Sequence, residues 1–193
     1  MSEIKCLICC MDINPKSYSL NNYSFLEKNR EERIINCPFC GVGKIYLDDE
    51  NDIYMVDNKS LDEESLKVLD HAMKLEVFNG EFYEEASRLA EDEKLKETFK
   101  DLSRIEFMHA RIHKRLGGFE KLPKLHKPDY TRHNTDGLLL IEASHREEHA
   151  ILFYEKNSGK VSSDVIKQVF SALTDVEKQH EIITKRDLIK KSN

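Results

Sequence analysis

At 193 residues the chain has room for one ordinary domain and a second, small one. A formal net charge of −6 with 34% charged residues suits a soluble protein and argues against a nucleic-acid partner, which would normally meet a basic stripe. No apolar run approaches the ~20 residues of a membrane span, and the amino terminus lacks the apolar stretch of a signal peptide. A cytoplasmic protein that engages neither nucleic acid nor membrane is expected.

Residues 1–49 have the wrong composition for helices. All five cysteines lie here, and four form two C-x-x-C pairs, Cys6/Cys9 and Cys37/Cys40. An odd number of thiols in paired spacing, with no export signal, reads as metal binding rather than a disulfide framework. Each pair sits in a short turn flanked by β-prone residues, and Gly41 supplies the positive φ that such a turn often needs. Four thiolates make a tetrahedral site for one Fe or Zn ion, which would contribute much of the folding free energy of so small a unit. Tyr18, Tyr23, Phe25 and Phe39 are expected to pack beside it, with Cys10 left over as a bystander thiol or, alternatively, a substitute for Cys9. The acidic stretch 46–59 is expected to link this unit, residues 1–56, to a second domain over 57–193.

Ser60-Leu-Asp-Glu63 reads as a capping box, so a helix should begin near Leu61. Leu66, Leu69, Ala72, Met73, Val77 and Phe82 keep a helical stripe to about Ala90. After a turn near Asp92, a second helix carries Leu95, Phe99, Leu102, Ile105 and Phe107 and stops at Gly117-Gly118. Residues 119–135 hold two Pro and no clear period, and read as a crossover. A third helix covers about 136–157, and a fourth runs from Ser162 or Ser163 to about Leu188. The fold class is therefore mainly α: a four-helix bundle with a long crossover, preceded by a small β metal domain.

The second domain repeats itself. Glu76, Phe82-Tyr83-Glu84, Phe99, Glu106-x-x-His109 and Ile112-x-Lys114-Arg115 recur 71 residues later, without a gap. The second copy is Glu147, Phe153-Tyr154-Glu155, Phe170, Glu177-x-x-His180 and Ile183-x-Lys185-Arg186. A fixed period of this kind sets the architecture. Glu and His three apart on a helix share a face, and each pair follows a helix with one more Glu. Four carboxylates and two imidazoles converging in a bundle are a ligand set for two metal ions, with hard oxygens suited to iron. Glu106 and Glu177 would bridge, and Glu76 and Glu147 would be terminal. Tyr83 and Tyr154 share a face with Glu76 and Glu147, and each hydroxyl is expected to hydrogen-bond a ligand carboxylate. His71, His113, His126, His133 and His145 are expected to be solvated or structural. His149 would need a helix distortion to reach the metals. Lys114-Arg115 and Lys185-Arg186 read as solvated helix ends, and Gly80 as a place where a neighbour can approach.

These motifs resemble the rubrerythrins, of the ferritin-like di-iron superfamily, and the cysteine pairs resemble rubredoxin knuckles. The order, with the knuckles first, resembles the reverse rubrerythrins. The resemblance implies a peroxidase that reduces hydrogen peroxide, or dioxygen, to water in oxidative-stress defence. The catalytic set would be Glu76, Glu106, His109, Glu147, Glu177, His180, Tyr83 and Tyr154. It implies two Fe ions in the bundle, an Fe or Zn relay at the four cysteines, and an electron-donor reductase linked to NADH. It also implies a head-to-tail homodimer that brings one chain's relay near the other's di-iron site. The family's additional ligand Glu on the third helix has no counterpart near Ser144, Glu148 or His149, and Cys10 replaces the Gly of a rubredoxin knuckle. A ferroxidase that handles iron, or a non-catalytic module with a structural zinc ribbon, are the alternatives.

Overall fold

The computed structural model describes residues 4–48, 54–133 and 135–192. Near the amino terminus three short strands, β1 (Ile4–Cys6), β2 (Asp12–Ile13) and β3 (Leu47–Asp48), form an antiparallel sheet in the order β2-β1-β3. Ile4 faces Ile13, and Cys6 faces Leu47. The stretch expected to be a linker is thus partly built into the small domain. Leu47 and Asp48 pair as a strand, and the Tyr54 N–H donates to the Leu7 carbonyl at 2.9 Å. Residues 49–53 of that stretch lie outside the described residues.

Four helices follow: α1 (Glu63–Leu89), α2 (Glu93–Gly117), α3 (Asp136–Ser158) and α4 (Asp164–Ser192). The start of α1 corrects the expected capping box. Asp62 is the cap, its carboxylate accepting from the Ser65 N–H at 2.7 Å, while Ser60 closes a preceding 3-10 turn by donating to the Asp57 carbonyl. Asp62 wins because a carboxylate accepts more strongly than a hydroxyl and adds charge at the positive end of the helix dipole. Asp92 and Thr135 cap α2 and α3 in the same way, and α2 ends at Gly118 with φ +67°. Helix α4 continues past the expected stop at Leu188. None of the described helices is long and apolar enough to cross a membrane.

Helix α1 packs chiefly on α2, and α3 on α4, so the bundle is two hairpins laid face to face. The crossover between them is pinned by Tyr130, which is buried against Phe82 and accepts a hydrogen bond from Arg146 at 3.1 Å. Gly80 lets α1 and α2 approach closely. A Cβ there would lie 3.1 Å from the Phe107 ring, and the Gly80 carbonyl accepts from the Ser103 hydroxyl at 2.9 Å. One apolar layer, with Phe82, Phe99, Leu102 and Leu139, closes the bundle on the crossover side. The other layer is shared with the small domain, where Ile8, Ile13 and Val42 join Ile105, Ile112, Phe170 and Val176 in one core. Between the two layers lies a stratum of buried polar side chains.

Candidate metal centres

The four cysteines come from two knuckles with matching backbones. In the first, the Cys10 N–H donates to the Cys6 carbonyl at 2.8 Å and the Cys6 N–H to the Met11 carbonyl at 3.0 Å. In the second, the Gly41 N–H donates to Cys37 at 2.9 Å and the Cys37 N–H to Val42 at 2.8 Å. The fifth residue of each is left-handed, with φ +66° at Cys10 and +79° at Gly41. Cys10 therefore adopts the glycine conformation at a cost of about 1 kcal/mol or more. The sulfurs of Cys6, Cys9, Cys37 and Cys40 all lie within 4.8 Å of one another, and only Cys9 is partly exposed. Hydrogen bonds from Cys37 and Cys40 hold the Cys6 thiol well below its usual range, while burial pushes Cys37 and Cys40 well above theirs. Four sulfurs gathered this closely form a site that a cation would complete.

Of the aromatic neighbours expected here, Phe25 is buried in the shared core, and Tyr18 and Phe39 pack against it. Tyr23 instead lies outward, beneath the Lys28 ammonium, and its N–H donates to Asp101 of α2 at 3.0 Å. Cys10 is not free of contacts. Arg115 of α2 reaches its sulfur and donates to the Ile8 carbonyl, which corrects the expectation that Arg115 is a solvated helix end. Burial nevertheless pushes the Cys10 thiol up, despite Arg115.

In the bundle, Glu76, Glu106, His109, Glu147, Glu177 and His180 are all fully buried. They form two overlapping groups, Glu76 with His109 and Glu147 with His180, which share Glu106 and Glu177; within each group the ligand atoms lie within 4.8 Å of one another. His109 Nδ1 is 2.9 Å from Glu177 and 3.6 Å from Glu106; His180 Nδ1 is 3.2 Å from Glu106 and 3.4 Å from Glu177. Despite these distances, both Nδ1 atoms and both oxygens of Glu106 and Glu177 lack hydrogen-bond geometry to any partner. Buried polar atoms are rarely orphaned. Their arrangement fits cations lying between them.

The charge balance points the same way. Burial, then repulsion from Glu106 and Glu177, raises Glu76 and Glu147 well above the usual carboxylate range. Burial works against a charged His109, but the Glu177 and Glu106 carboxylates prevail and raise it well above the usual range. Burial also opposes charge on Glu177, yet His109 and His180 hold it far below that of a free carboxylate. Without cations, the cluster must take up protons instead.

The two tyrosines cross between halves. Tyr83 donates to Glu147, and Tyr154 to Glu76, so each hairpin orients a carboxylate of the other. Helical spacing alone could not say which Glu each hydroxyl would reach. His113, expected to be solvated or structural, is fully buried with Nε2 2.7 Å from the Tyr154 hydroxyl. The signal in the sequence was its place one turn after His109, on the same face. His71, His126, His145 and His149 are exposed, and α3 passes His149 without distortion. Glu148 is also exposed, so α3 offers Glu147 as its one carboxylate to the cluster.

The two clusters meet within one chain. His109 Nε2 lies 2.8 Å from the Cys40 carbonyl. A carbonyl only accepts, so Nε2 carries a hydrogen, which leaves Nδ1 as the ring atom that would bind a cation lying among the carboxylates. Gly41, next to Cys40, is pressed on α4, where a Cβ would come within 2.6 Å of Val176 Cγ1.

Two hairpins around a core of four Glu and two His, behind a small four-cysteine sheet domain, define a ferritin-like carboxylate metalloprotein with a rubredoxin-like domain in front. The family model for rubrerythrin matches residues 67–188, and the chain belongs to that family. Neither a curated protein nor a solved structure matches it significantly.

Proposed function

We propose that the protein is a di-iron oxidoreductase that reduces hydrogen peroxide to water, with electrons passed through the four-cysteine cluster. The observation that carries this reading is the joining of two overlapping carboxylate–imidazole groups to the Cys40 carbonyl through His109. Reduction of H2O2 to two waters consumes two electrons and two protons. A pair of iron ions, when bound, supplies both electrons.

The protein's own groups supply the rest. Glu106 and Glu177 belong to both ligand groups, so they would hold both ions, while Glu76 with His109 and Glu147 with His180 would each hold one. Full burial keeps bulk water out and strengthens each electrostatic contact. Tyr83 and Tyr154 hold protons on their hydroxyls beside Glu147 and Glu76, and burial keeps both as neutral phenols. The His109 ring, fixed by the Cys40 carbonyl, gives a short covalent and hydrogen-bonded route between the clusters. Because that route is internal to one chain, it would serve a monomer and a head-to-tail dimer alike. A reductase would meet the cluster on the side of Cys9, its one partly exposed cysteine.

The test is peroxide consumption by the iron-loaded chain with NADH and a rubredoxin-type reductase. Two electrons taken from NADH per peroxide are expected, with no oxygen released. An iron-loaded centre that peroxide leaves reduced would overturn the proposal.

A further inference from the structure

The 71-residue repeat breaks at a buried position that touches a tyrosine beside the carboxylate cluster. His113 of α2 corresponds to Thr184 of α4, and both are buried. The imidazole of His113 contacts the Tyr154 hydroxyl. Thr184 turns its hydroxyl to its own helix and donates to the Glu181 carbonyl at 3.0 Å. Among the described residues, Tyr83 has Glu147 as its one hydrogen-bond partner, whereas Tyr154 has two, Glu76 and His113.

Hydrogen counting fixes the direction of the chain. A metal-bound Glu76 is a carboxylate and can only accept. Tyr154 has one hydrogen, which goes to Glu76. The Tyr154 oxygen must then accept from His113, so Nε2 of His113 carries its hydrogen and Nδ1 is bare. Nδ1 is buried and has no partner, as this tautomer requires least. Burial pushes His113 down to about 3, so the ring is neutral and has a single N–H to give. The same half also holds the imidazole that is braced from behind: His109 Nε2 meets Cys40, while His180 Nε2 is buried without a partner.

We propose that His113 is a positioning residue that commits the Tyr154 hydrogen to Glu76, and so makes the Glu76/His109 position the tighter and first-filled of the two metal positions. This rests on the dinuclear reading above and goes beyond it by making the two ends unequal.

Mn(II) is a suitable probe because it favours carboxylate and imidazole over thiolate. Titration of the full chain followed by electron paramagnetic resonance should show two ions, the first bound at least about tenfold more tightly than the second. Loss of a group that orients a ligand typically costs 10–100-fold in metal affinity. His113→Ala should weaken the first step by about that factor, bringing the two steps together. His113→Gln, which can still present an N–H at the same place, should restore most of the difference, and Thr184→Ala should leave both steps within about twofold. Binding of fewer than two Mn(II) ions would overturn the dinuclear reading itself. Two ions with unchanged steps in His113→Ala would overturn this inference alone. Should His113→Ala fail to fold, nitrogen NMR of the zinc-loaded wild-type chain decides the point. The hydrogen of His113 is expected on Nε2, and finding it on Nδ1 would contradict the proposal.

Discussion

The four cysteines are gathered between Cys6 and Cys40 by two knuckles whose own backbone hydrogen bonds set the sulfur positions. The six candidate ligands of the bundle run from Glu76 to His180 and are set by helix packing, with no local motif longer than Glu-x-x-His. The first cluster is local geometry, and the core behind it is one that the small domain shares with the bundle. The second is a polar stratum between two apolar layers that can hold the helices together by themselves. A site of the first kind folds with its metal, whereas a site of the second kind is a cavity of costly charges inside a scaffold that stands without it.

The largest expected effect follows from that contrast. Removing the metal from the cysteines, by chelation or by Cys37→Ser, should unfold the small sheet, because structural ions contribute on the order of 10 kcal/mol to such domains. The helices should remain, so far-UV circular dichroism keeps its helical signal while amide exchange rises in residues 4–48. Retention of the sheet in strong chelator would place the two clusters on the same footing.

Within the bundle, shared and terminal carboxylates should separate. Glu177→Ala removes an oxygen donor from both groups and should abolish tight binding of both ions, whereas Glu147→Ala should leave one ion bound. Elemental analysis after gel filtration distinguishes them, and equal loss in both variants would argue against sharing.

The charge balance of the apoprotein gives a smaller, signed effect. Glu76, Glu147 and His109 have raised pKa values in the folded, metal-free chain, so folding takes up protons through them. Their contribution to stability is present in mild acid and lost as pH rises. Thermal melts of the apoprotein should therefore fall in midpoint from roughly pH 6 to 8. The metal-loaded protein should not show this fall, because metal binding replaces those protons. A midpoint of the apoprotein that rises over that range would contradict the assignment of these groups.

The smallest effects compare the two knuckles. Gly41→Ala meets both a positive φ and Val176, and should cost about 1–2 kcal/mol in chemical denaturation. Cys10→Gly relaxes the matching position of the other knuckle and should gain up to about 1 kcal/mol, less what the Arg115 contact contributes. A loss in the second variant would mean that Arg115 outweighs the backbone strain.

Much of this architecture was legible in the residues. Helical periodicity, caps and glycine stops placed the four helices to within a few residues, and the 71-residue repeat brought forward together the six side chains that the structure clusters. Periodicity reports which face a residue occupies, but not which helix lies opposite it. That is why the crossing of Tyr83 to Glu147 and of Tyr154 to Glu76 had to wait for the packing. The Cys40–His109 contact joins two domains that no sequence spacing relates. Arg115 looked like its repeat partner Arg186, yet docks on the first knuckle because α2, unlike α4, ends beside it.

The most direct measurement is Mössbauer spectroscopy of the chain loaded anaerobically with iron-57, before and after one equivalent of hydrogen peroxide. Two ferrous ions per chain with oxygen and nitrogen ligands are predicted, both converted to an antiferromagnetically coupled ferric pair. A single such ion, or two that remain ferrous, would contradict the dinuclear centre and the peroxide chemistry built on it.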